Sequence, residues 1–239
     1  MFSIIIPLDS NRLDLFKNTK RAYDGMPQKK EFIIPSRSAP KLRTYFKKYK
    51  LGKNVRIIPY TIKAGFNCSK ALNIGVRHAK YPSVIITSPE VTPITPVLAQ
   101  LETVIGTNVV AQVFDEHADG KATWSLVNSG YRNHNPGYYF LAMFNKKDIE
   151  KINGWDEAFM HGYAYDDCDF GARWARAGIP FTIRDDIQGL HQYHPRMETV
   201  SGGWKRNERL FYENTRLGII ACKNGLVPLE AAASNGIIV

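Results

Sequence analysis

The sequence predicts an α/β fold: a single domain on a mixed, mostly parallel central sheet flanked by helices. Three observations lead there. Residues 2–6, from Phe2 to Ile6, form an apolar run ended by Pro7, as expected of a strand buried on both faces of a parallel sheet. A helical pattern and a second short run at 31–34 follow, which gives the strand, helix, strand order of a doubly wound sheet. Finally, no Pro/Ser/Gly-rich linker or shift in composition divides the 239 residues, and 44% hydrophobic with 23% charged content is that of a globular core. Ligands of such sheets sit beyond the carboxyl ends of the strands, so the loops after Ile6 and Ile34 are candidate nucleotide contacts.

The elements follow in order. Asp9-Ser10-Asn11 can cap a helix carrying Leu13, Phe16 and Tyr23, and Pro35 stops the second strand. Residues 41–50 form a basic amphipathic helix, with Leu42, Tyr45, Phe46 and Tyr49 on one face and five Lys or Arg elsewhere. Such a charge run is ordinarily a solvated face; the other reading is contact with a membrane surface or a polyanion. A third strand spans 55–58, a helix reaches Ala79, and a strand at 84–87 runs into Ser88-Pro89-Glu90. Thr95-Pro96 reads as an N-cap and first helical position, opening a helix through Leu98, Leu101 and Ile105. Residues 109–114 and 122–127 form a strand pair about an Asp119-Gly120 turn. The run 138–144 is followed by a short helix for which Asn145 and Asp148 resemble a capping arrangement. A short strand at 180–183 precedes Gly189-Leu190-His191-Gln192-Tyr193-His194, and a final helix over 204–221 is expected to bury Leu210, Phe211, Leu217 and Ala221.

The densest chemistry lies at Asp166-Asp167-Cys168-Asp169. Three carboxylates within four positions repel one another unless a cation, a basic neighbour or a helix N-terminus compensates. The plain reading is N-terminal punctuation of a helix through Phe170, Trp174 and Ala177 to a Gly178 cap, with its dipole keeping the acids ionised. The functional reading makes the same acids an active site, and the two are compatible.

Composition bounds the rest. Thirty-two basic against 22 acidic residues leave a net charge of +10, which favours anionic partners. Three cysteines without C-x-x-C spacing suit a reducing cytoplasm. The opening reads as a strand rather than a secretion signal, and no apolar run approaches a bilayer span, so any membrane contact is expected to be peripheral.

Four segments then resemble a known family. They are Ile4-Ile5-Ile6-Pro7; Phe66-Asn67 through Leu72-Asn73-Ile74-Gly75; Ser88-Pro89-Glu90-Val91-Thr92-Pro93; and Ile152-Asn153-Gly154-Trp155 through Asp166-Asp167-Cys168-Asp169 to Arg173 and Gly178. Together they resemble the inverting GT-A, nucleotide-diphospho-sugar glycosyltransferases of family-2 type. Within these they are similar to the galactosyltransferase group that includes the animal β-1,4-galactosyltransferases. The resemblance implies a nucleotide-sugar part over about 1–95 and an acceptor and catalytic part over about 96–239. Donor contacts would come from Pro7, Asp9, Arg37, Asn67, Lys70, Asn73 and Ser88, and acceptor contacts from Trp155, Tyr163 and Asp166, with Asp167 as base. Relatives carry Asp-x-Asp where this chain has Ser88-Pro89-Glu90, so Glu90 is the implied ligand of Mn²⁺ or Mg²⁺, joined by His191 or, failing that, His194. The end of the second strand, Ile34-Pro35-Ser36-Arg37-Ser38, lacks the acid that in many relatives helps hold the nucleotide base.

The implied activity is inverting transfer from a nucleotide-diphosphate sugar to a hydroxyl on a glycan or glycolipid. Two alternatives stand beside it: glycosylation of hydroxylated bases in DNA, in keeping with the positive charge, and a degenerate, non-catalytic sugar- or nucleotide-binding relative.

Overall fold

A computed structural model describes residues 1–62, 68–125, 140–162, 164–195 and 203–227. The apolar opening forms β1 (Phe2–Ile5), followed by α1 (Leu13–Asp24), β2 (Lys30–Ser36), α2 (Ala39–Tyr49), β3 (Val55–Pro59), α3 (Cys68–His78) and β4 (Ser83–Thr87). β1 pairs in parallel with both β2 and β4, and β2 with β3. The chain thus winds outward to β3 and then returns to the other side of β1, which opens a crevice at the strand ends where the winding reverses.

Side-chain alternation along these strands makes two cores. Ile4, Phe32, Ile34 and Ile85 join Phe16 and Tyr23 of α1 and Leu42 and Phe46 of α2 on one face. Ile5, Ile33, Val84 and Ile86 join Leu72 and Val76 of α3 on the other. That second core is completed by Ile149 of α5 (Lys146–Lys151) and Phe170 and Trp174 of α6 (Asp166–Arg176).

The remaining strands are β5 (Val91–Pro93), β6 (Val109–Glu116), β7 (Ala122–Ser125), β8 (Leu141–Asn145) and β9 (Thr182–His191). They extend the sheet to the order β3-β2-β1-β4-β8-β6-β9-β5, with β7 paired to β6. β8 lies antiparallel between β4 and β6, whereas β9 runs parallel to β6 and antiparallel to β5. A mixed half is therefore joined to a parallel half.

Several local expectations change. β9 extends to His191, well past the short strand at 180–183, and its polar residues Arg184, Asp185, Asp186 and Gln188 hid that length from a hydrophobicity pattern. Thr95 does not cap α4 (Val97–Glu102): its hydroxyl meets the Gln100 side chain at 2.7 Å and accepts from Gln188 N, and Pro96 is the capping residue. That helix ends before Ile105, which is exposed. Asn145 precedes α5 without a side-chain cap bond; its amide donates to Gly106 O, while Asp148 accepts from Asn108. The last helix, α7 (Gly203–Arg216), buries Asn207 alone among its residues, and Leu217, outside it, is 55% exposed. No helix among the described residues is long and apolar enough to cross a membrane.

Candidate active site

The acidic stretch is built from the turn that precedes it. Asn153 and Gly154 both adopt left-handed backbone, φ 58° and 71°, and a Cβ on Gly154 would lie 2.4 Å from Asn73 Oδ1. Asn73, wholly buried in α3, accepts from Trp155 N at 3.0 Å and donates to Trp155 O at 2.8 Å and to Glu157 at 3.1 Å. Asn73 is accordingly a clamp between α3 and the acidic region, not an open donor contact. Trp155 is also corrected: it is 0% exposed and stacked on Phe170 at 4.4 Å, so its ring belongs to the core rather than to an acceptor surface.

Ala164 and Tyr165 then take left-handed backbone in succession, φ 59° and 67°, and α6 starts at Asp166. The three acids part company here. Asp169 is buried and ion-paired with buried Arg173 at 2.7 Å, and Arg173 also donates to Ile152 O, so this acid is structural. Asp166 and Asp167 remain half-buried, with Asp167 accepting from Cys168 N at 2.8 Å. Burial and the neighbouring Asp167 charge push Asp166 up to about 7, and burial also raises Asp167. Backbone amides of the first turn pull the other way without winning, so the helix start alone does not keep the pair ionised.

A second cluster forms where β5 and β9 pair. Val91 lies opposite His191, and Gln192 N donates to Glu90 O, which sets Glu90 beside both histidines. Glu90 Oε1 is 3.7 Å from His191 Nε2 and 3.9 Å from His194 Nε2. Ligand atoms of all three residues lie within 4.8 Å of one another. Behind them His191 Nδ1 meets Asp115 Oδ1 of β6 at 3.0 Å, which fixes the ring so that Nε2 faces Glu90. Burial opposes ionisation of Glu90, but His191 and Arg12 outweigh it and hold its carboxyl below the usual range. Burial likewise opposes charge on His191, and Glu90 with Asp115 reverses that. Glu90 Oε2 and His194 Nε2 are buried without a hydrogen-bond partner. Two unsatisfied buried atoms beside an oxygen-and-imidazole set are what a divalent cation such as Mn²⁺ or Mg²⁺ would satisfy, so the residues fit a metal.

Cys68 is the first residue of α3, and its thiol is driven well up by burial and then by the charges of Asp166, Asp167 and Glu90. On the other side Tyr60, just past β3, senses Asp9, Arg37 and Cys68. Asp9 does not cap α1; it receives Arg37 Nε at 2.9 Å and ties the loop after β1 to the loop after β2. Pro7 is buried, whereas Lys70 and Ser88 are half-buried. Asn67 and Tyr163 lie outside the described residues. Sequence reasoning overlooked Arg12, Asp115 and Cys68; of these only Cys68 carried a signal, its place directly after Asn67 in a resembling segment.

Residues 124–195 match a family model described as the N-terminal domain of galactosyltransferase. Over 91 residues the chain is 30% identical to an uncharacterized glycosyltransferase, YfnE, of Bacillus subtilis (strain 168), covering 37% of this chain and 21% of that protein. Among solved structures it superposes on S. aureus TarS 1–349 in complex with UDP-GlcNAc at a TM-score of 0.67 and 13% identity, over 88% of this chain and 65% of that one. It also superposes on the mannosyltransferase PcManGT from Pyrobaculum calidifontis, in complex with GDP-Man and Mn²⁺, at 0.58 and 14%, over 99% and 76%. With the sheet order above, these superpositions give the chain a GT-A fold, and its segment 124–195, which holds the acidic and histidine motifs, is similar to the N-terminal domain of galactosyltransferase.

Proposed function

We propose that the protein is a metal-dependent inverting glycosyltransferase that moves a sugar from a nucleotide-diphosphate donor to a hydroxyl of a glycan or glycolipid acceptor. The observation that carries this reading is the Glu90-His191-His194 cluster, whose ligand atoms lie within 4.8 Å of one another past the carboxyl end of β4, in a fold that also leaves the Asp166-Asp167 pair half-buried at the start of α6. One cluster suits a diphosphate through a cation, and the other suits the removal of a proton.

Asp167, ionised, takes the proton of the acceptor hydroxyl as that oxygen bonds to the anomeric carbon. The carbon–oxygen bond to the diphosphate breaks on the opposite face, its electron pair leaves with the diphosphate, and configuration inverts. A divalent cation held by Glu90, His191 and His194 would supply charge stabilisation for that leaving group. Arg12, close enough to Glu90 to stabilise its charge, adds a positive charge on the same side. Asp166 is next to the base in the chain, and its raised affinity for a proton suits it to donate a hydrogen bond to an acceptor sugar hydroxyl near neutral pH.

The donors seen with the structural relatives, UDP-GlcNAc and GDP-Man, define the first panel. Turnover of nucleotide sugars with Mn²⁺, with and without EDTA, should appear in the wild type and fall by about 10²–10⁴ in Asp167→Asn. Equal turnover in the variant would remove Asp167 from the base role. Failure to bind any nucleotide sugar would favour a non-catalytic relative.

A further inference from the structure

From the contacts of α7 we infer that Asn207 is a positioning residue: it holds the left-handed turn from which Asp166 and Asp167 project. This rests on the transferase reading above. Asn207 is 1% exposed and is the one buried residue of α7. Its amide nitrogen donates to Phe159 O at 3.0 Å and to Ala164 O at 2.8 Å, bridging the two ends of the segment that enters α6. Gly162 makes room for it, since a Cβ there would stand 2.2 Å from Asn207 Oδ1.

The restraint has a specific object. Left-handed backbone costs a residue with a Cβ roughly 1–2 kcal/mol, and two such residues in succession persist only if their surroundings hold them. Ala164 and Tyr165 are that pair, and the second of them directly precedes Asp166. Asn207 grips the carbonyl of the first. The rest of the inner face of α7 grips the second: Glu208 accepts from the Tyr165 hydroxyl at 3.1 Å, and Trp204 and Phe211 pack on its ring at 5.4 and 5.5 Å. Further along, Asn214 donates to Asp169 at 2.9 Å and ties the helix to the structural acid. The inner face of α7 is thus polar and aromatic because its task is to hold a backbone shape.

The experiment compares wild type, Asn207→Ala, Gly162→Ala and the double variant Asn207→Ala with Ala164→Gly, all assayed well below their melting points. Expected are a fall in kcat of tenfold or more in both single variants and an unchanged donor Kd by thermal shift. Several-fold recovery is expected in the double variant, because glycine adopts the left-handed region without a holder. Gly162→Ala keeps the asparagine but displaces it, so the inference stays testable if Asn207→Ala fails to fold. Wild-type kcat in either folded variant would overturn it, as would loss of kcat and donor affinity together without recovery by glycine. Absence of turnover in the wild type would instead sink the transferase reading, and this inference with it.

Discussion

At the scale of single residues, protonation decides what the site can do. Asp166 and Asp167 bind protons more tightly in the fold than in the unfolded chain, because burial and their mutual repulsion disfavour charge. Between the ordinary carboxylate range and about 7 the native state therefore holds protons that the unfolded state has released. Stability from this pair is greatest at low pH and is lost as pH rises through that window. Asp166→Asn should accordingly raise the melting temperature relative to wild type at pH 8 and change it little at pH 4, as thermal melts at both values would reveal. Catalysis runs the other way for the base, which must be ionised: the rate should fall on the acid side as Asp167 takes up its proton, and an unchanged acid limb in Asp167→Asn would argue against Asp167 as base. At the other cluster, Mn²⁺ should raise the melting temperature of the wild type and not that of Glu90→Gln, which keeps the shape but loses the charge.

At the scale of elements, the acidic region depends on how α3 and the turn before Trp155 lock together. Gly154→Ala would place a methyl group 2.4 Å from Asn73 Oδ1 and 2.7 Å from Leu226, at a φ of 71° that already disfavours it. A loss of about 2 kcal/mol or more is expected from the φ penalty and overpacking together, read as a lower denaturation midpoint. Asn73→Ala removes one hydrogen bond from the buried N–H of Trp155 and one from its C=O, so a loss of about 2–4 kcal/mol is expected in the same experiment. These elements were unequally legible. The apolar runs of β1 and β4 and the acidic opening of α6 could be read directly, because each is a local pattern. The length of β9, the uncapped Thr95 and the polar inner face of α7 could not, because each depends on partners far along the chain: Asp115 and Val91 for His191, Gln188 for Thr95, Ala164 for Asn207.

At the scale of the whole molecule, the sheet edge carries one candidate cluster and α6, packed on that sheet, carries the other, so a donor held there should stabilise the fold as a unit. A nucleotide sugar with Mn²⁺ at about 100 times its Kd should add roughly 2.7 kcal/mol. For a chain of this size that corresponds to a rise of about 5–10 °C in the melting temperature. The net charge of +10 offers a second global test. If the acceptor were DNA, affinity for duplex or single strands would fall steeply with salt, whereas a glycan acceptor predicts no such dependence.

The sequence by itself determined the α/β class, the strand ends as candidate ligand positions, and the residue types of both clusters, because hydrophobic periodicity and local charge density are properties of neighbouring residues. It also marked Glu90, His191 and His194 without saying that both histidines face one carboxylate. Tertiary structure decided that through the antiparallel register of β5 and β9. The fold likewise assigned Asp169 to a buried pair with Arg173 and left Asp166 and Asp167 half-buried at the start of α6, and it turned Asn73 and Trp155 from ligand-contact candidates into internal supports. The physical reason is shared: whether a polar side chain serves the fold or a ligand depends on which hydrogen-bonding partners it finds once buried, and apart from the Asp169–Arg173 pair those partners lie tens of residues away.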